Sequence, residues 1–435
     1  MRTVVVALAA LWLPPAVLLA QDTTRSEGVR IGLTYAPGTR PGVFVAPVGG
    51  ADADSVRAIL ARDLDFGDRV NVIAPDGGEP PSGALNYPLY ARLGAAAVVQ
   101  ASITPAGALH VALHDVVGAR VMNVADFPLP AEPLGAGWRL AVHSASDEVE
   151  RWITGQRGIA QTRIVFVRDQ PGLVRASRLW MVDSDGANLQ PVAGVGSALS
   201  PAWHPSGRYL AYCEMQNDGT HIFVRDLVAG TTRRVSDRGG SNITPTFSPD
   251  GSTLVFASGD DGTDLFAVFP FGSDGPRRVT VGRGSANSSP TFSPDGRKIA
   301  FTSGRLGHPE VYITDADGAN ADLLTTSGFG DQLYRSNPDW SPDGRKVAFQ
   351  SQINGVFQVM TINLRDRTVN GLTSEGRNED PSWAPDGRHL VFTSTRSGAK
   401  QLWVIDTETF RLRQLLRGGA SRMAAWSPRL DGAAR

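Results

Sequence analysis

Few residues of this chain are spaced for chemistry, and each such set has a plainer reading beside it. Asp183-Ser184-Asp185-Gly186 and Asp315-Ala316-Asp317-Gly318 alternate carboxylates as calcium loops do. Neither has the spacing or the terminal Glu of an EF-hand, and each lies between apolar runs, so they read as hairpin turns. His110 and His114 fall on one face of a strand pattern, yet the seven His residues show no metal-ligand spacing. His204 replaces a recurrent Ser and reads as a turn residue. Cys213 is the single cysteine, set in an apolar strand beside Tyr212, which points to a small buried hydrophobe and leaves no intramolecular disulfide. No Gly-x-Ser-x-Gly nucleophile elbow occurs. Catalytic, metal and cofactor residues are therefore expected to be none, with a propeller hydrolase or lactonase kept as the alternative.

The elements that would have to position any site are repeats. Pro290-Thr291-Phe292-Ser293-Pro294-Asp295-Gly296 has close copies at Thr244 to Gly251, Asn337 to Gly344 and Asp380 to Gly387. A looser copy runs from Ser200 to Gly207, and a last one breaks off at Pro428. Their aromatics, Trp203, Phe247, Phe292, Trp340, Trp383 and Trp426, recur every ~45 residues. Ser-Pro-Asp-Gly places Pro at i+1 and Gly at i+3 of a type I turn. A second strand follows each turn, centred on Phe166, Tyr212, Phe256, Phe301, Phe349 and Phe392. Four short strands per repeat is the blade pattern of a β-propeller. The first of these second strands, at Ile164, has no aromatic segment ahead of it, and the sixth aromatic segment, at Trp426, has no second strand behind it. Joining the two makes six blades and a closed ring.

Residues 28–156 lack the repeat and alternate strand and helix patterns. Val43 to Pro47 and Val70 to Ile73 read as strands. A helix between them carries Val56, Ile59, Leu60 and Leu64 on one face, with Asp52 or Asp54 as its cap. A short helix near Leu89 to Leu93 precedes a three-strand meander. A final helix presents Trp138, Ala141, Val142, Ala145, Val149, Trp152 and Ile153, and stops at Gly155. The expected fold is multidomain: a small N-terminal α/β domain (28–156) followed by an all-β six-bladed β-propeller (160–430). Residues 1–20 read as a secretory signal peptide, with Arg2 ahead of an apolar run broken by Pro14-Pro15, so no direct membrane span is expected. The formal net charge of −1 and the lack of a basic cluster argue against nucleic acid.

His143-Ser144-Ala145-Ser146-Asp147-Glu148-Val149, Thr154-Gly155 and Thr162-Arg163-Ile164 carry a family resemblance. Arg30-Ile31, Arg40-Pro41-Gly42-Val43 and the ending Trp426-Ser427-Pro428-Arg429-Leu430 carry it too. Over nearly the whole chain after residue 20, the sequence resembles the TolB family of periplasmic propeller proteins of the Tol-Pal system. The resemblance implies a monomeric, non-catalytic adaptor in the periplasm. Its partners would be the lipoprotein Pal and inner-membrane TolA, and its roles outer-membrane integrity and constriction at division. It places Pal at the channel mouth, where the equivalence of the loops ahead of the first strands points to Ser241, Asn242, Thr244, Asn287, Ser288, Arg335, Asn378 and Glu379, with Arg335 and Arg377 as anchors because Arg is enriched among interface hot spots. Val29, Ile31, Leu33 and Tyr35 alternate with polar residues and would add as a strand to TolA, with a strand of the chain's own domain as the other reading. A binding module of sensor type with an unrelated partner is the third reading.

Overall fold

The computed structural model describes residues 39–81, 83–169, 177–236, 238–281, 285–325 and 334–431. The expected signal peptide and the Val29–Tyr35 segment lie outside these described residues.

The α/β part forms around β1 (Gly42–Val45), whose Val43 and Val45 are fully buried. β1 pairs in parallel with β2 (Asn71–Ile73) and with β3 (Ala97–Ile103). β3, β4 (Ala108–Asp115) and β5 (Arg120–Pro128) then run as an antiparallel meander, giving the sheet order β2-β1-β3-β4-β5. Helices α1 (Ala53–Phe66) and α3 (Ala136–Thr154) cover one face, burying Val56, Ile59, Leu60 and Leu64 against Trp138, Val142, Ala145 and Val149. The short α2 (Tyr87–Arg92) lies against the other face, with Tyr90 edge-on to Phe44. Asp52 does stand at the start of α1, but in a left-handed conformation, and its side chain caps nothing. α3 ends as its sequence suggests: Gly155 takes φ 76° and donates its N–H to the Arg151 carbonyl.

Six four-stranded antiparallel sheets follow. Blade 1 combines Ser421–Trp426, Arg163–Asp169, Ser177–Asp183 and Gln190–Pro191. Blades 2 to 6 begin with the first strands Ala198–Trp203, Ser241–Phe247, Ser288–Phe292, Arg335–Trp340 and Asn378–Trp383. Trp426 lies opposite Ile164 and Ala425 opposite Val165, while Trp426 Nε1 donates to Thr162 Oγ1 at 2.8 Å. The ring is thus closed by pairing of distant parts of the chain, as the repeat count requires. Each turn is hydrogen-bonded as expected: Gly251, Gly296 and Gly344 donate to Ser248, Ser293 and Ser341, and Gly207 donates to His204. Phe166, Tyr212, Phe256, Phe301, Phe349 and Phe392 are all wholly buried, one to a blade. At about 25 cal/mol per Å² of apolar surface these side chains dominate the interblade cores.

Candidate functional site, the channel and its two ends

The first strands touch their neighbours all the way round and enclose a central channel of about 550 Å³. Each strand contributes the same device. Ser200, Thr244, Ser289, Asn337, Asp380 and Met423 have φ between 48° and 53°, and each coincides with a slip in pairing to the second strand. These are β-bulges with a left-handed residue at the axis. Five of the six precede Pro. The bulge turns polar side chains toward the next blade: Ser289 Oγ donates to Asn337 Oδ1 and Asn337 Nδ2 to Asp380 Oδ1, both at 2.8 Å. Asp339 accepts the Trp383 N–H at 2.7 Å, and burial raises its pKa to about 6.

The two ends of the channel differ. At one end lie the connections into the first strands and the hairpins between second and third strands. At the other lie the Ser-Pro-Asp-Gly turns and the hairpins between third and fourth strands. The α/β part sits on this second end, over blades 6 and 1. Arg139 of α3 reaches Asp183 at 3.2 Å and Asp185 at 2.6 Å in blade 1. Arg62 of α1 reaches Asp185 at 2.5 Å. At blade 6, Arg411 pairs with Asp65 and Asp68 at 2.7 and 2.8 Å, and Arg69 meets Asp386 at 3.4 Å. Two histidines are fully buried in this seam. His143 Nδ1 is 2.7 Å from Asp63, and His389 lies between Asp386 at 2.7 Å and Asp68 at 3.3 Å.

The seam bears on the metal question. Asp63, His143 and Asp185 converge, as do Asp68, His389 and Asp406. Their carboxylates already face fixed cations: Arg62 and Arg139 hold Asp185, Arg411 holds Asp68, and Arg388 holds Asp406 at 2.5 Å. The donor sets fit guanidinium rather than a metal ion. The Asp183–Gly186 and Asp315–Gly318 segments are turns, with Gly186 and Gly318 donating to Asp183 and Asp315. His110 and His114 do not converge on one ligand: His110 bonds Asp126, whereas His114 bonds Tyr87 and Gln100.

The eight loop residues expected to meet a partner fall at the open end, in three environments. Ser241 is exposed, and Thr244 and Ser288 are half-buried on the channel wall. Asn242, Asn287 and Asn378 are 0 % exposed. Their amides hold the connections: Asn242 donates to the Thr220 and Arg238 carbonyls, Asn287 to Asp264, and Asn378 to Gln358 and the Glu375 carbonyl. These three shape the mouth from beneath and present no surface to a ligand. Arg335, at the corresponding position of blade 5, pairs with Glu310 at 3.2 Å. Glu379 is held by Arg377 at 2.8 Å and Lys400 at 3.0 Å. Both expected anchor arginines are therefore matched to carboxylates of the chain itself.

A six-bladed propeller joined to an α/β domain that is seated over two blades at one channel end defines a class of repeat scaffolds. Residues 150–430 match the family model described as the TolB beta propeller domain, and the chain belongs to that family. The Tol-Pal system protein TolB of Haemophilus influenzae is 32 % identical over 244 residues, covering 52 % of this chain and 56 % of the relative. That of Gluconobacter oxydans is 28 % identical over 231 residues, covering 52 % and 50 %. The chain spans about half the length of the curated relatives it matches. The crystal structure of TolB from Acinetobacter baumannii superposes with a TM-score of 0.77 at 25 % identity, covering 90 % of this chain and 98 % of that one. No described helix is long and apolar enough to cross a membrane.

Proposed function

We propose that the chain is a non-catalytic periplasmic adaptor of the Tol-Pal system that joins Pal to TolA and supports outer-membrane integrity and constriction at division. The observation that carries the reading is the asymmetry of the channel. Six equivalent first strands open at one end, whereas the α/β part occupies the other over two blades. A rigid ring with loops gathered at one accessible face is where binding residues concentrate. Pal binds at that mouth, touching Ser241 and the wall formed by Thr244 and Ser288, while Asn242, Asn287 and Asn378 fix the loop shapes. Arg335 and Glu379 sit at its rim, each already in an ion pair. TolA takes the segment carrying Val29, Ile31, Leu33 and Tyr35 as an added strand, and the adaptor acts as a monomer.

The test is capture of purified Pal and of soluble TolA by the exported protein. Ser241→Trp places a bulky side chain at the mouth and abolishes Pal capture while TolA capture persists. Deleting residues 22–35 does the reverse. Wild-type binding of Pal by Ser241→Trp, together with loss in an Asp317→Trp control at the other end, assigns Pal to the wrong face. Failure of the wild type to capture either partner overturns the adaptor reading.

A further inference from the structure

Around the open end, five arginines lie over aromatic side chains. One of them, Arg377, 4.9 Å from the Phe357 ring, is also paired with Glu379, and the other four are not paired with a carboxylate among the described residues. Arg238 lies 4.1 Å from the Phe266 ring centroid in blade 3. Arg305 lies 4.4 Å from Tyr312 in blade 4, and Arg396 lies 5.0 Å from Trp403 in blade 6. Arg168 lies 5.3 Å from Trp180 in blade 1. In three of them a serine at the end of the second strand accepts the Nε–H: Ser258 at 3.3 Å, Ser303 at 2.9 Å and Ser394 at 3.0 Å. Stacking and this single bond hold the guanidinium plane, so ordering it on binding costs little further entropy.

These four arginines differ from the other cations of the same face. Arg335 is taken by Glu310, Arg377 and Lys400 by Glu379, and Arg422 by Asp169. Among the described residues, no carboxylate oxygen lies within 4.0 Å of a side-chain nitrogen of Arg168, Arg238, Arg305 or Arg396. Arg396 gives one Nη to Asn378 Oδ1 at 3.2 Å and Arg168 one to the Gly418 carbonyl at 2.7 Å. The Nη atoms of Arg238 and Arg305 make no hydrogen bond among the described residues. Glu375 acts on Arg396 only through space, and Asp260 and Asp261 stand in a hairpin of blade 3. The face is thus of mixed sign, and what it offers is fixed forks rather than a broad positive field.

We infer that these arginines receive carboxylates of a protein partner docked on the open mouth, a surface bearing Asp and Glu side chains spread across several blades. The inference rests on the reading that Pal binds there and names the chemistry of that contact. It moves the anchoring role from Arg335 and Arg377, which are paired within the chain, to residues that no carboxylate pairs among the described residues.

The experiment is titration calorimetry of purified Pal into the wild type, R238Q/R305Q/R396Q and R238K/R305K/R396K. The Gln triple raises Kd at least about tenfold, and the Lys triple, which keeps charge but loses the planar fork, falls between it and the wild type. A Gln triple within twofold of the wild type, with Pal bound normally, overturns the inference and leaves the adaptor reading standing. If the wild type does not bind Pal, the adaptor reading fails. Capture of an octaglutamate peptide then decides alone: the wild type must retain it and the Gln triple must not. Should the triple melt below the assay temperature, the three single Gln variants are titrated instead, and three unchanged affinities refute the inference.

Discussion

Removing the imidazole at residue 389 should flatten the pH dependence of stability between pH 6.5 and 9. His389 is fully buried, with Asp386 and Asp68 against its two ring nitrogens. Asp406 adds negative charge, while Arg69 and Arg411 pair with the same Asp386 and Asp68. Burial by itself lowers the imidazole pKa, but the charge and hydrogen bond of Asp386, then Asp68, outweigh it and hold the group at about 9 against an ordinary 6.5. That difference corresponds to roughly 3 kcal/mol. A raised folded-state pKa gives stabilisation that is complete below 6.5 and is lost as pH rises through 9. Glu150, raised by burial to about 8 against the pull of Arg69, works in the same direction. Its cost accrues as pH rises from 4.5 to 8. Urea unfolding followed by tryptophan fluorescence from pH 6 to 9.5 should show the wild type losing about 3 kcal/mol more than His389→Gln across the interval. At pH 6 the variant should already be about 3–5 kcal/mol less stable, because Asp68 and Asp386 then face each other without the cation. Parallel curves for the two proteins would refute the reasoning.

Trp426→Ala, at the joint of blade 1, should cost about 3–5 kcal/mol in the same unfolding assay; a loss under about 1 kcal/mol would mean that the joint contributes little to the ring. Asn287→Ala should cost about 1–3 kcal/mol by stranding the groups its amide serves, and an unchanged midpoint would show that water replaces it. Gly251 has φ 73°, and a Cβ there would strike His204 Nε2. Gly251→Ala should therefore cost more than about 1 kcal/mol, and adding His204→Ser should recover part of the loss; no recovery would assign the whole effect to backbone strain.

The ring was legible because its instructions are local. Each turn is spelled by four consecutive residues, and each second strand by an apolar pair two residues apart. Trp426 and Ile164 could be matched by counting, although they are distant in the chain. The mouth was legible only in outline. Asn242, Asn287 and Asn378 sit in polar runs, and nothing in a polar run distinguishes an amide that faces water from one that holds three neighbouring groups beneath the surface. The left-handed residues before Pro were hidden for a different reason: a residue before Pro is biased toward extended backbone, so its sequence gives no cue to a bulge. The seam was least legible, since Asp68 and Asp386 are each turn residues by local pattern and acquire meaning only when His389 stands between them. The stacked arginines did have a signal, the paired runs Phe301-Thr302-Ser303-Gly304-Arg305 and Phe392-Thr393-Ser394-Thr395-Arg396.

The α/β part rests on blades 6 and 1, and these flank the place where the ring is joined. Arg157 and Arg429, which meet Asp431 and the Gly158 carbonyl at that joint, extend the same set of contacts. A ring under load parts first where one strand alone holds two blades together. Here the strand and the residues after it also hold the segment that follows α3, through Trp426 to Thr162, Arg429 to Gly158 and Asp431 to Arg157. A pull applied to the end of the chain therefore reaches the segment after α3 as well as the first blade.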